Sequence, residues 1–178
     1  MKLLLKKLEQ SILKIANGDY ESLKFIYDEL NQAVYTLSYI ILKDRYLAED
    51  VSQEVFFKVM ANATSYKKGT SPKAWILQIA RNASIDVLRK KKEIVTTFDS
   101  ESGYGNIIAN TKQKTDFENK IIVFEALKQL DFEQQQIVVM HVLAGLKFKE
   151  ISNILERPMG TITWKYRTAI KDMYDLLK

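Results

Sequence analysis

Apolar residues recur along this chain with the three-to-four-residue rhythm of helices. Leu5, Leu8, Ile12 and Ile15 mark a first helix over 4–16, stopped by Asn17-Gly18. Leu23, Ile26, Tyr27, Leu30, Val34, Leu37 and Ile41 mark a second over 20–42, and a third covers 47–62. ATSYKKGTSP then reads as a loop, with Pro72 suited to the first turn of a helix that runs to about Lys92. The rhythm is lost in IVTTFDSESGYGNIIANTKQKT, a Ser-, Thr-, Gly- and Asn-rich stretch that reads as a linker. It resumes over about 117–130, 132–144, 148–155 and 160–177. The expected fold is all-α: two small helical domains, 1–94 and 118–178, joined by a polar linker at 95–117, the second domain a helix-turn-helix.

The helix-turn-helix expectation comes from FKEISNILERPMGTITWKYRTAIKDMYDLL, 148–177. Phe148, Ile151 and Leu155 stripe a short helix that Glu156-Arg157-Pro158 breaks. After Thr161, one face of the next helix carries Ile162, Tyr166, Ala169, Ile170, Met173 and Leu177. Its outward face carries Thr163, Trp164, Lys165, Arg167, Thr168 and Lys171, types that suit the major groove and its phosphates. A helical hairpin with a solvated basic face fits the same pattern, and Glu156 stands where such turns often have Gly.

Two further patterns suggest surfaces. In LAEDVSQEVFFKVMA, Val51, Val55, Phe56 and Val59 cover one side, while Asp50, Gln53, Glu54, Phe57 and Ala61 cover another. A Phe ringed by polar groups suits a protein interface; packing under the loop at 63–70 explains it as well. In the helix after Pro72, Trp75, Ile76, Ile79, Ala80, Ala83 and Val87 form a broad apolar face. Gln78, Arg81, Asn82, Ile85, Arg89 and Lys92 form a mainly polar stripe that ends in four consecutive bases. The preceding loop puts Lys67, Lys68 and Lys73 beside Tyr66 and Trp75, cations for a backbone and rings for unpaired bases. Core aromatics with incidental lysines are the alternative. Asp86 is expected to pair with Arg89 or Lys90.

Composition narrows the classes. Six Gly and two Pro leave few turns for a β protein. A net charge of +5 and a pI near 9.2 favour a polyanionic partner, and the linker is the one net acidic segment. Without Cys, and with His141 alone, no thiol chemistry, zinc-thiolate site or triad is expected. No phosphate-cradling Gly loop is present. The expectation is a cytoplasmic, non-enzymatic protein with no cofactor and no metal. MKLLLKKLEQ is too charged for a signal peptide or a membrane insertion. His141 is read as a core or surface residue.

Three segments in order, AEDVSQEVFFKVM, SPKAWILQIARNASIDVLRKKK and GTITWKYRTAIKDM, resemble bacterial RNA polymerase sigma factors of the extracytoplasmic-function (ECF) type. The resemblance covers about 20–92 and 120–177. It implies a protein that binds core RNA polymerase and directs it to promoters, which it helps to melt. By matching positions, Asp50, Gln53 and Glu54 resemble residues that grip the clamp of the polymerase's largest subunit, with Phe57 beside them. The loop at 66–73 and the face with Gln78, Asn82 and Arg89 resemble the part that captures the unpaired strand of the −10 element. Thr161, Thr163, Trp164, Arg167 and Thr168 resemble the region that reads the −35 element in duplex DNA. Many relatives have an anti-sigma partner, and the sequence neither requires nor excludes one here. The chain departs from the family at Pro72, often an aromatic, and at Asp131-Phe132, usually Leu-Pro. Thr168 and Ile170 replace common arginines, and Trp164 a small residue. A stand-alone helix-turn-helix regulator of duplex operators and a purely protein-binding adaptor are the rival readings.

Overall fold

The computed structural model describes residues 2–95 and 125–176; the expected linker beyond Val95, and residues 117–124 of the helix expected over 117–130, lie outside the described residues. Every regular element among the described residues is helical. Helix α1, Lys2–Ala16, buries Leu8, Ile12 and Ile15 and ends where Gly18, at φ +92°, turns the chain. After a 3₁₀ turn, α2 runs Leu23–Leu42 through the middle of the core, with Ile26, Leu30, Val34 and Leu37 almost inaccessible. Lys43 closes it in the left-handed conformation, its N–H on the Tyr39 carbonyl at 2.8 Å.

Asp44 caps α3, Arg45–Ala61, by accepting from the Tyr46 and Leu47 amides. Helix α3 buries Val51, Val55, Phe56 and Val59 against α2. Pro72 opens α4, Pro72–Val95, which buries Ile76, Leu77, Ala80 and Ala83. In the second half, α5 covers 125–128 and α6 runs Phe132–Val138. A π-helical turn follows at Val139–Leu143, so the helix expected over 132–144 changes its winding in its last third. Helices α7, Phe148–Leu155, and α8, Met159–Leu176, complete the chain.

The two halves pack on each other. Helix α6 and the π turn lie against α2, and α7 lies against α4. The seam is polar at its rim. Lys43 Nζ donates to Gln135 Oε1 at 2.7 Å, Arg81 Nε to Gln136 Oε1 at 3.3 Å, and Lys73 Nζ to the Ala144 carbonyl at 2.7 Å. Burial pulls the Lys43 ammonium and the Arg81 guanidinium below their ordinary values, with Lys128 adding to the effect on Lys43. Three consecutive glutamines, 134–136, are buried, each with an amide partner.

Candidate nucleic-acid interface

Helix α3 turns Val51, Val55 and Phe56 inward and leaves Asp50, Gln53, Glu54 and Phe57 exposed. Phe56 packs against Tyr27 with ring centroids 4.9 Å apart, while Phe57 is 65% exposed. Packing of Phe57 under the 63–70 loop is therefore excluded. Glu54 pairs with Lys58 one turn on at 2.7 Å. The face is an acidic and amidic surface around one bare aromatic.

Where α3 ends, the loop and α4 enclose an open groove of about 310 Å³. It is lined by Lys58, Asn62, Ser65, Trp75, Ile79, Asn82, Ala83 and Asp86. Trp75 and Asn82 were expected at such a site; Lys58, Asn62, Ser65 and Asp86 were not. The 75, 79, 82, 86 spacing on α4 carries a readable signal for Asp86. The α3 residues join only through tertiary packing. Asp86 also holds Arg89, at 3.2 Å, as expected. Gln78 is half-buried beside this face, and Asn82, Arg89, Lys67 and Lys68 are exposed.

Two members of the expected set belong elsewhere. Tyr66 is 6% exposed, meets Trp75 edge-on at 5.4 Å, and donates its hydroxyl to the Thr70 carbonyl at 2.7 Å. Burial pushes its phenol up, with the Thr70 bond opposing and the Glu9 charge reinforcing. Its ring is core and shapes the loop; it offers no stacking face. Lys73 sits two residues before Trp75, about 160° around α4 from it. There its ammonium meets the Ala144 carbonyl of the second half, so it works at the seam.

In the second half, Asp131 takes the place of a helix-starting proline with a capping box. Its Oδ1 accepts from the Gln134 amide at 2.7 Å, and its own N–H donates to Gln134 Oε1 at 2.9 Å. Lys165 pairs with Asp131 at 2.9 Å and Glu133 at 3.1 Å, and Arg157 pairs with Glu133 at 2.9 Å. Lys165, expected on the outward reading face, is thus tied to its own domain. Burial alone would raise the Asp131 carboxyl, but the Gln134 amide and the Lys165 ammonium outweigh it and hold it below the usual range. The same hydrogen bond, against a smaller burial effect, raises Lys165.

Glu156 makes the turn between α7 and α8 at φ 54°, taking the conformation in which Gly is common. Beyond it α8 presents Trp164, Arg167 and Lys171 outward, Trp164 being 64% exposed, while Thr161, Thr163 and Thr168 are half-buried. The Thr163 and Thr168 hydroxyls donate to the carbonyls of Met159 and Trp164, one turn back. Ile170, expected on the packed face, is 40% exposed, because the buried stripe narrows to Ile162, Ala169 and Met173. His141 stacks on Phe148 at 4.4 Å, and its Nδ1 lies 2.7 Å from the Leu146 carbonyl, a structural placement. Among the described residues no group of three or more acidic or His side chains is placed to hold a metal, and no helix is long and apolar enough to cross a membrane.

Residues 26–94 match the Sigma-70 region 2 family. The chain is 30% identical over 155 residues to the ECF RNA polymerase sigma factor SigM of Bacillus subtilis, covering 84% of this chain and 93% of that protein. It is 27% identical over 173 residues to SigW of the same species, covering 91% and 90%. Its fold is similar to that of the sigma factor RpoE from Bartonella quintana, solved with the anti-sigma factor NepR (TM-score 0.72, 22% identity, 86% of this chain and 95% of that one). It is also similar to that of CnrH, solved with the cytosolic domain of CnrY (TM-score 0.67, 14% identity, 96% and 97%).

Proposed function

The chain belongs to the ECF RNA polymerase sigma factors, and from that premise we propose that it binds core polymerase through α3, captures opened −10 DNA along α4 and reads −35 duplex with α8. The family works with RNA polymerase in promoter-specific initiation of transcription. On our reading, Asp50, Gln53, Glu54 and Phe57 form the polymerase contact. Lys67, Lys68, Trp75, Gln78, Asn82 and Arg89 form the path of the unpaired strand. Thr161, Thr163, Trp164, Arg167, Thr168 and Lys171 form the duplex-reading face, with Lys165 bracing it from behind.

One observation carries the reading: the groove is lined by Trp75, Asn82, Lys58 and Ser65, and Ser65 stands two residues before the exposed pair Lys67-Lys68 of the loop. A groove of that volume takes a flat base turned out of the stack, and the lysines meet its backbone. Capture of the base offsets the few kcal/mol of unpairing and unstacking. Strand opening is then driven by binding, in a non-enzymatic protein that acts in the cytoplasm with the polymerase. Thr163 and Thr168, whose hydroxyl protons point back into α8, offer their methyl groups to thymine. Because one protein of similar fold was solved with an anti-sigma factor, we extend to this chain a partner of that kind.

The test is promoter-directed transcription with the purified chain and core polymerase on genomic fragments. Wild-type protein yields discrete transcripts. The double variant Gln53→Ala with Glu54→Ala loses both polymerase binding and transcripts; unchanged binding by that variant overturns the α3 assignment.

A further inference from the structure

We propose that Glu9, on the N-terminal helix, is a positioning residue for the strand-capturing loop. The inference rests on the strand-capture reading above. Helix α1 lies before residue 26, where the Sigma-70 region 2 match begins, yet its Glu9 reaches the loop directly. Glu9 Oε1 accepts the Gly69 N–H at 2.5 Å and lies 3.3 Å from the Tyr66 hydroxyl. These two contacts bracket Lys67 and Lys68.

The rest of the loop closes on itself. The Tyr66 hydroxyl donates to the Thr70 carbonyl, and the Thr70 hydroxyl donates to the Lys67 carbonyl, both at 2.7 Å. Gly69 stands at φ +85°, where a side chain is strained, so its N–H direction is set by the turn and met by the carboxylate. Glu9 is itself held firmly, because Leu8 and Ile12 beside it on α1 are inaccessible. One carboxylate oxygen thus ties a rigid helix to a loop that carries two exposed cations. Ordering those cations before DNA arrives removes part of the entropy cost of binding.

Charge alone predicts the opposite effect. A carboxylate next to the lysines repels phosphates, so removing it would tighten DNA binding if Glu9 did nothing else. The sign of the change therefore separates positioning from electrostatics.

The experiment titrates the full chain with fluorescein-labelled single-stranded DNA of mixed sequence, and with the matching duplex, at low salt. Glu9→Ala binds the single strand about tenfold more weakly than wild type, as expected for a lost hydrogen bond to a charged group, and binds the duplex unchanged. Glu9→Gln keeps an acceptor oxygen and binds the single strand at least as well as wild type. Hydrogen exchange at the Gly69 amide is slow in wild type and Glu9→Gln, and fast in Glu9→Ala. A Glu9→Ala chain that binds single strands as well as or better than wild type, or keeps Gly69 protected, overturns the proposal. The double variant Lys67→Ala with Lys68→Ala separates the two levels. If it binds the single strand like wild type, the strand-capture reading itself falls and the role of Glu9 falls with it.

Discussion

At Asp131 one carboxylate serves two partners, the first turn of α6 and the Lys165 ammonium of α8. Losing the cap through Asp131→Ala is expected to destabilise the chain by about 1 kcal/mol, measured as a lower urea midpoint. The pH dependence has a definite sign. The carboxyl is held below its ordinary value, so its contribution is present above the unfolded carboxylate value of about 3.9 and is lost as pH falls through the folded value. The stability gap between wild type and Asp131→Asn therefore narrows at acid pH. Lys165 is raised by the same pair, so its share is present below its unfolded value of about 10.4 and fades as pH rises past the folded one. Ser38 works in the other direction. It is fully buried in α2 and its hydroxyl has no partner among the described residues. Ser38→Ala removes a buried unsatisfied group and is expected to stabilise the chain by about 1 kcal/mol; a lower thermal midpoint would contradict this. Neither residue announced its role. Asp131-Phe132 looks like a departure from the family, and only the geometry reveals the capping box that replaces the proline.

Among the elements, the helices were legible wherever an apolar stripe faced a single core. Helix α7 falls on 148–155 as its periodicity predicts, and α3, α4 and α8 differ from expectation by only a few residues at their ends. Periodicity was silent on direction within a broad face. Lys73 and Trp75 are close in sequence but point to different sides of α4, and only tertiary packing decides that one meets the seam and the other the groove. The glutamine run 134–136 carried no apolar signal, yet it is buried, because each amide finds a hydrogen-bond partner. The two elements proposed to face DNA should differ measurably. Arg167→Ala and Lys171→Ala in α8 are expected to weaken duplex binding and to lower its salt dependence by about one unit of slope for each lost phosphate contact. Single-strand binding should stay at its wild-type level. Equal losses on both probes would mean that α8 does not act as a separate duplex reader.

For the whole molecule, the closed seam sets a geometric problem. Elements centred near −35 and −10 are about 25 base pairs apart, roughly 85 Å of duplex at about 3.4 Å per pair. A compact chain of this length has a radius of gyration of only about 16 Å. On the proposed reading, one half cannot read the first element while the other holds the second unless the seam parts. The seam has a packed interior, formed by α6 and the π turn on α2, and a rim of three hydrogen bonds donated by Lys43, Arg81 and Lys73. All three donors come from the first half and all three acceptors from the second. Removing two of the donors with Lys73→Ala and Arg81→Ala leaves the Ala144 carbonyl and the Gln136 amide oxygen to water, at about 1 kcal/mol each. The double variant should then populate the open form more often. Small-angle scattering would show a larger radius of gyration, and hydrogen exchange would speed up along α6 without a matching change in α1. Transcription from a promoter should be undiminished or higher, since the opening that the proposed promoter binding requires becomes easier. If the radius, the exchange along α6 and the transcription all stayed at wild-type values, the apolar interior alone would be holding the halves together.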